Sequence, residues 1–475
     1  MFAITLPAQR RALRSDLNRR LNDGLRRARA SGHSVLVSLT GHCPGSSAPT
    51  ETVLASRRPS DQWFCLEQPE REEMAVCGLG CAKEITADGP NRFKTLAERW
   101  RDLVREALAD EVVGPPGVGV TAVGGFAFAA NGGRGHRWTG FPSASLTVPE
   151  VSLARRAGET WITLNALVAP DDTVQDVQHR IERRLEELHS RPLPLLDPDP
   201  LGRFRVSSPI PPAHYEESVV RAVERIKAGE LEKIVLAREV EVQAPAPYDP
   251  AAILGVLREG FPSCYIYAMG RGGRTFLGAS PELLVRREGS RATSVALAGS
   301  TGRSADPAVD DHLGERLMRS DKDRHENAIV ARRIARALAP HSVWVTVAPD
   351  PAVIRVANIQ HLAAPIRAQL ASPMSAVELA GVLHPTPAVG GEPWKVAEPL
   401  IPALEGFDRG WYAGPVGWVD QTGDGEFCVA LRCALLNGPE ATCFAGCGIV
   451  ADSNPVAELA ETETKLQALL PILAG

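Results

Sequence analysis

Hydrophobic and polar positions alternate along this chain in two registers, one with a period near two and one with a period near 3.6. Ser34 to Leu39, Gly124 to Phe128 and Thr160 to Leu164 read as short strands of a mixed α/β segment reaching to about residue 190. Arg92 to Ala109 and Thr173 to His189 carry helical spacing. Near the N-terminus, Leu13, Leu17, Leu21 and Leu25 recur among Arg10, Arg11, Arg14, Arg19, Arg20, Arg26 and Arg27, which predicts an amphipathic surface helix. A proline- and aspartate-rich connector follows from Arg191 to Pro200.

The second segment opens near Ser207. Tyr215 to Ala228 predicts a helix closed by Gly229, leading into a strand over Lys233 to Val240. Cys264 to Ala298 reads as a β-meander, punctuated at Gly270–Gly273 and Glu288–Ser290. Ser320 caps a helix that runs to Ala339. Strands are expected over Gly414 to Val419 and, in one run, Phe427 to Leu436. The last element is a helix. Asp452, Ser453 and Asn454 offer caps, Pro455 suits the first turn, and the apolar spacing continues to Leu470.

Length and charge narrow the classes. The 475 residues allow two or three domains or one large α/β unit. With 52 Lys+Arg against 57 Asp+Glu, the net charge of −5 gives no electrostatic case for nucleic acid or an anionic membrane. Asp16 and Asp23 interrupt the basic N-terminal run, unlike a transit peptide, and no stretch has the length of a membrane span or a signal-peptide core. The nine cysteines are scattered. Cys77/Cys81 and Cys443/Cys447 lack the partners of a zinc site, so buried or free thiols in a reducing cytoplasm are expected. Gly132-Gly133-Arg134-Gly135 matches neither a dinucleotide fingerprint nor a P-loop and reads as a loop.

Several residues stand out chemically. Lys233 heads an apolar strand, where a cation needs a carboxylate or a task as a general base, or else is a strand-edge lysine reaching water. Glu282, after Gly278-Ala279-Ser280-Pro281, is a general acid if its carboxyl stays protonated, and a turn residue otherwise. On a continuous strand Arg432 shares a face with Cys428, Ala430 and Ala434, which suggests an anion pocket or a structural pair with a buried glutamate. Asp323 and Glu326, and again Glu458 and Glu461, lie one turn apart early in their helices, with Lys465 one turn beyond Glu461. Two such helices facing each other supply oxygen ligands for one Mg²⁺; separately, each is a solvated or dipole-complementing face.

In this order Lys233-Ile234-Val235-Leu236-Ala237-Arg238, Ser280-Pro281-Glu282-Leu283-Leu284, Ala298-Gly299-Ser300-Thr301, Lys322-Asp323-Arg324-His325-Glu326, Gln360-His361-Leu362, Leu383 to Gly391, Gly446 to Val450 and Glu458-Leu459-Ala460-Glu461-Thr462 with Lys465 resemble the chorismate-utilising enzymes. Within them the set is most similar to isochorismate synthase of the menaquinone-pathway branch. The resemblance covers about residues 207 to 470; residues 1–200 resemble the family only loosely and read as an N-terminal lobe completing the core, beside a catalytic region over 207–475.

The resemblance implies an α/β (α+β) fold like that of anthranilate synthase component I: two large, mainly antiparallel sheets packed together, helices outside and the site in the cleft between them. It also implies Mg²⁺ held by Glu326 and Glu461, with Glu458 and Asp323 in support, and chorismate as substrate. Arg432, with Tyr412 on the preceding strand, matches the site of the enolpyruvyl carboxylate. Gly299, Ser300, His361, Ala388, Gly446, Gly448 and Lys465 match lining positions, Lys233 the base that activates water, and Glu282 the acid that protonates the departing hydroxyl. Relatives that use ammonia usually lack the lysine, and they and salicylate synthases tend to carry threonine at the place of Ala388. Lys233 with Ala388 therefore favours a reaction that stops at isochorismate. Gly390-Gly391 leans toward the menaquinone branch, and Cys447 departs from the alanine usual between the two glycines. A siderophore-pathway isochorismate synthase, a salicylate-forming or amine-transferring enzyme, and a catalytically silent chorismate-binding paralogue are the alternatives. No obligatory protein partner is implied.

Overall fold

The computed structural model describes residues 7–43, 48–111, 113–197, 200, 202–357 and 359–475, with side chains from residue 16 onward. Two antiparallel sheets, one of twelve and one of ten strands, carry the fold. In the larger sheet the strands Val35–His42, Glu159–Val168, Val151–Arg156, Met74–Leu79 and Trp63–Gln68 are followed by Tyr265–Arg271, Arg274–Ser280, Cys433–Asn437, Glu440–Ile449, Lys233–Gln243 and Gly391–Glu392, with Arg205–Ser207 beside Lys233–Gln243. The smaller sheet runs from Ser342–Val347 through Ile359–Leu370, Arg291–Gly302, Leu283–Glu288, Gly425–Val429 and Pro415–Asp420 to Thr121–Phe126, Ala144–Val148 and Lys83–Thr86. Strands from the first 200 residues therefore extend both sheets, Trp63–Gln68 beside Tyr265–Arg271 and Thr121–Phe126 beside Pro415–Asp420.

The strand alternation explains how both faces of the larger sheet are covered. Phe64 and Leu66, with Met74 and Val76, enter the core shared with the smaller sheet, whereas Trp63, Cys65, Ala75 and Cys77 point to a second core. That second core is covered by helices including Pro7–Ser31, Val174–Glu186 and Pro250–Gly260. Leu17, Leu21 and Leu25 of the first helix are buried in it, so the expected surface helix docks its leucine stripe. The side chains of Arg10, Arg11, Leu13 and Arg14 lie outside the described residues, as do parts of the 191–200 connector. All nine cysteines are free thiols, and eight are buried.

Three expectations need correction. The 264–298 meander is two hairpins in different sheets. Tyr265–Arg271 pairs with Arg274–Ser280 in the larger sheet, and Leu283–Glu288 pairs with Arg291–Gly302 in the smaller one. The run over 427–436 is likewise broken. Gly425–Val429 belongs to the smaller sheet and Cys433–Asn437 to the larger, and between them Arg432 takes φ +48°, a left-handed conformation that no continuous strand contains. The shared face inferred for Cys428, Ala430, Arg432 and Ala434 therefore does not exist. The final helix, Pro455–Leu466, stops short of Leu470. The amides of Ala468 and Leu469 bond three residues back, to Lys465 and Leu466, which closes the helix, and a short second helix, Leu470–Ala474, follows with Pro471 in its first turn.

Buried polar clamps hold the sheets together. Glu426, 1% exposed on Gly425–Val429, accepts from Arg71 Nη2 at 2.6 Å and from the Tyr265 hydroxyl, both belonging to the larger sheet's side. Arg271 donates across to Glu84 at 2.8 Å, Ser145 at 2.7 Å and Thr147 at 2.9 Å. Removing the Glu426 carboxylate strands a buried phenol and a guanidinium. Glu426→Ala should cost about 3 kcal/mol of folding stability in urea denaturation, and Glu426→Gln should cost less because the amide oxygen still accepts.

Candidate active site

The recess between the sheets has a volume of about 680 Å³ including its open mouth. Its walls come from the places where the chain changes sheets. Glu282 stands at the crossing from Arg274–Ser280 to Leu283–Glu288, and Arg432 at the return from Gly425–Val429 to Cys433–Asn437. Tyr412, expected on a strand, lies instead in the turn before Pro415–Asp420, stacked on Phe444 with ring centroids 5.1 Å apart. Beside it Ala413 takes φ +61°. Of the residues singled out in the sequence, Glu282, Gly299, Ser300, Glu326, His361, Ala388, Tyr412, Arg432, Gly446, Gly448, Glu461 and Lys465 all line the recess.

Lys233 and Glu458 lie just behind that wall. Lys233 is 0% exposed and sits on an interior strand, flanked by Glu440–Ile449 and Gly391–Glu392, so it is no edge lysine reaching water. Its Nζ is 2.8 Å from Glu326 Oε1, an ion pair without an aligned hydrogen bond. The absence of a side chain at Gly448 makes room for this contact. A Cβ there would lie 2.3 Å from Glu326 Oε1 and 2.7 Å from Lys233 Cε.

Asn454 caps the last helix by accepting from the Ala457 amide at 3.1 Å. Glu458 on that helix is 2% exposed, the Lys465 side chain is 11% exposed, and Glu461 faces the recess, so the face bearing them is not an openly solvated one. Lys465 Nζ lies 2.7 Å from Glu461 Oε1 and donates to the Gly446 carbonyl at 2.9 Å. Across the recess a bulge at Gly299 in Arg291–Gly302 presents Ser300, whose hydroxyl donates to Glu461 Oε1 at 2.8 Å. Burial alone would raise the Glu461 pKa, but Lys465 and Ser300 hold it down to about 2.

Ser320 caps the other acidic helix, Asp321–Leu338, by accepting from the Asp323 amide. Asp323 packs under Gly299, where an added Cβ would meet its Cβ at 2.9 Å, and it does not line the recess. Among the described residues, one group of metal-type donors has its atoms within 4.8 Å of one another: Glu458, Glu461 and Cys447. The Cys447 thiol is already engaged, donating to the Glu458 carbonyl at 3.4 Å. The carboxylates of Glu326, Glu458 and Glu461 are hard oxygen donors on two neighbouring helices, each facing a lysine ammonium, and that donor set fits a hard divalent cation.

Arg432 and His361 add a cationic part to the lining, His361 lying opposite Ser300 in the strand ladder. Arg432 Nη2 donates to His361 Nε2 at 3.2 Å, and among the described residues no carboxylate forms an ion pair with Arg432. The structural-glutamate alternative therefore fails for Arg432, which keeps a guanidinium available to an anion. Burial first, and Arg432 next, lower the His361 pKa to about 3, so the ring is neutral and accepts at Nε2. Glu282, 3% exposed, is pushed up to about 8 by burial, against the longer-range pull of Lys233, Arg432 and Lys465. At neutral pH it is a carboxylic acid.

Arg409 was not found from the sequence. It is buried, pairs with Glu405 (Nε to Oε2 2.9 Å), donates to the carbonyls of Val389 (2.8 Å) and Val235 (3.0 Å), and stacks 4.2 Å over Phe128. It thus ties the Ala388 loop to the strand that Lys233 begins. A charged pair spaced i, i+4 at a helix end, Glu405 with Arg409, was the available signal. Gly448→Ala tests the packing of this wall. It should separate Lys233 from Glu326 and cost about 1–3 kcal/mol of stability by overpacking, read from urea denaturation and a structure of the variant.

Residues 23–474 match the protein family described as "Chorismate binding enzyme". The chain is 36% identical over 417 residues to the salicylate biosynthesis isochorismate synthase of Pseudomonas aeruginosa, covering 86% of this chain and 84% of the relative. It is 30% identical over 456 residues to isochorismate synthase MenF of Bacillus subtilis, covering 95% and 96%. Among solved structures it resembles the menaquinone-specific isochorismate synthase MenF of Escherichia coli, with a TM-score of 0.77 at 26% identity over 96% of this chain and 99% of the other. Anthranilate synthase component I of Streptococcus pneumoniae, at 20% identity and a TM-score of 0.66, shares the fold. With a recess built from both sheets and a family match spanning nearly its whole length, the chain belongs to the chorismate binding enzymes.

Proposed function

We propose that this protein is an isochorismate synthase, a Mg²⁺-dependent isomerase that adds water at C2 of chorismate as the C4 hydroxyl departs. The observation that carries this reading is the pairing of opposites about one recess: a protonated acid, Glu282, in its lining, and a buried lysine, Lys233, just behind its wall. Chorismate is a dianion. Arg432, free of any carboxylate partner among the described residues, suits its enolpyruvyl carboxylate, with the Tyr412 hydroxyl beside Gly446 in the same wall. Glu326, Glu461 and Glu458 would hold Mg²⁺, which when bound supplies positive charge for the ring carboxylate.

The proton movements then fall to two side chains. Lys233 is the base toward the attacking water, and Glu282 gives its proton to the leaving hydroxyl, so the ring is isomerised with no change in composition. Ala388, a small residue lining the recess beside Val389, leaves room for water without adding a hydroxyl of its own. The full-length similarity to MenF relatives supports menaquinone biosynthesis as the destination of the product. The Pseudomonas relative supports salicylate biosynthesis as the second reading. No helix among the described residues is long and apolar enough to cross a membrane, and we place the enzyme in the cytoplasm.

Incubation with chorismate, with and without Mg²⁺, tests the proposal by chromatography and mass. A metal-dependent isomer of equal mass with no pyruvate is expected; salicylate with pyruvate, or product only with ammonia, would overturn it. Lys233→Ala should lower the rate about 10²–10⁴-fold while chorismate binding, followed by calorimetry, is largely kept. Glu282 has a native pKa raised to about 8, so its acid form is present below that pH and lost above it. The forward rate should therefore fall as pH rises through about 8. In Glu282→Gln this limb should vanish, with the rate about 10²-fold lower or more.

A further inference from the structure

Three lysines from three elements end on the three carboxylates of the metal-type site. Lys233 lies 2.8 Å from Glu326, Lys465 2.7 Å from Glu461 and Lys322 3.1 Å from Glu458. Lys465 lines the recess and Lys233 lies just behind its wall. Lys322 does not line it. Its side chain is 39% exposed while that of Glu458 is 2% exposed, so it reaches inward from solvent onto a buried carboxylate.

Two features of Lys322 point to a role toward a cation. It sits in the first turn of Asp321–Leu338, where a positive charge opposes the helix dipole, so the position does not serve the helix. The charges that act on it most strongly are those of Glu458, Glu326 and Glu461, the same three carboxylates. Its one ion pair among the described residues joins the two acidic helices at Glu458.

We propose that Lys322 is a built-in counter-ion of the divalent site, competing with the metal for Glu458 and so setting its affinity. This rests on the metal reading given under Proposed function. A lysine that only propped the helices apart would act in the opposite sense, because losing it would disorder Glu458 and weaken metal binding.

The test is direct binding of Mn²⁺, as a Mg²⁺ substitute, followed by electron paramagnetic resonance without chorismate. Lys322→Met keeps the side-chain length and removes the charge, and it should tighten Mn²⁺ binding about five- to tenfold. Lys322→Arg keeps the charge and should stay near the native affinity. Equal or weaker binding in Lys322→Met, with binding intact in the native protein, overturns the competition while leaving the metal site standing. No Mn²⁺ binding by the native protein at millimolar concentration overturns the metal reading and this proposal with it. Thermal melting of both variants separates a folding defect from a change in affinity, and Lys322→Gln, which also removes the charge and should likewise tighten binding, gives the answer if Lys322→Met melts early.

Discussion

The constraint on which the rest of the structure depends is that the chain must pass between two packed sheets, and the site is built where it does so. Strands in one sheet are held by continuous ladders and bury their side chains in fixed alternation, which leaves little freedom to aim a functional group. At a crossing the ladder ends. Glu282 stands where the chain leaves the larger sheet, and Arg432, with φ +48°, where it comes back. A non-glycine residue in the left-handed region costs about 1–2 kcal/mol, so the backbone strain and the aim of the guanidinium come together. Away from these crossings the two sheets are joined by the buried contacts of Glu426 and Arg271.

Charge around the recess falls into two groups. Arg432 with neutral His361 is one, and Glu326, Glu458 and Glu461 with their lysines are the other. Each of those carboxylates is matched by one ammonium, so that group is balanced before any ion or substrate arrives. Glu282 lies within the longer-range field of Lys233, Arg432 and Lys465, and burial still wins, leaving it protonated. An acid kept neutral by desolvation can donate a proton at neutral pH; the same residue at an exposed turn could not.

Most of the site was legible in the sequence, and its misreadings have a common cause. The two acidic helices could be placed from their caps, Ser320 and Asn454, because capping and i, i+3 spacing are local properties. The recess glycines were legible as motif, and their physical reason emerged only from packing: at Gly448 an extra carbon would strike Glu326 and Lys233. Periodicity failed at 264–298 and 427–436, since a strand that changes sheets keeps its two-residue alternation through the break. Nothing in the order of Leu431, Arg432 and Cys433 marks a crossing. Arg409 went unread because its partners, the Val235 and Val389 carbonyls, are distant in sequence.

The lysine at the head of the strand is not the water-reaching residue that a strand end tolerates. As a surface residue, Lys233 would need no partner. Instead it is fully buried, has no aligned hydrogen-bond acceptor, and is held by Glu326 alone at 2.8 Å. A buried cation with so little to satisfy it is costly to keep, and replacement by an apolar residue of similar volume would relieve that cost. That cost sets Lys233 apart from a packing residue and is the ground on which the proposed base role rests. Glu326 reaches both the lysine and the recess, so it couples the two: any charge that draws the carboxylate away from Lys233 also removes the one counter-ion that holds the ammonium in place.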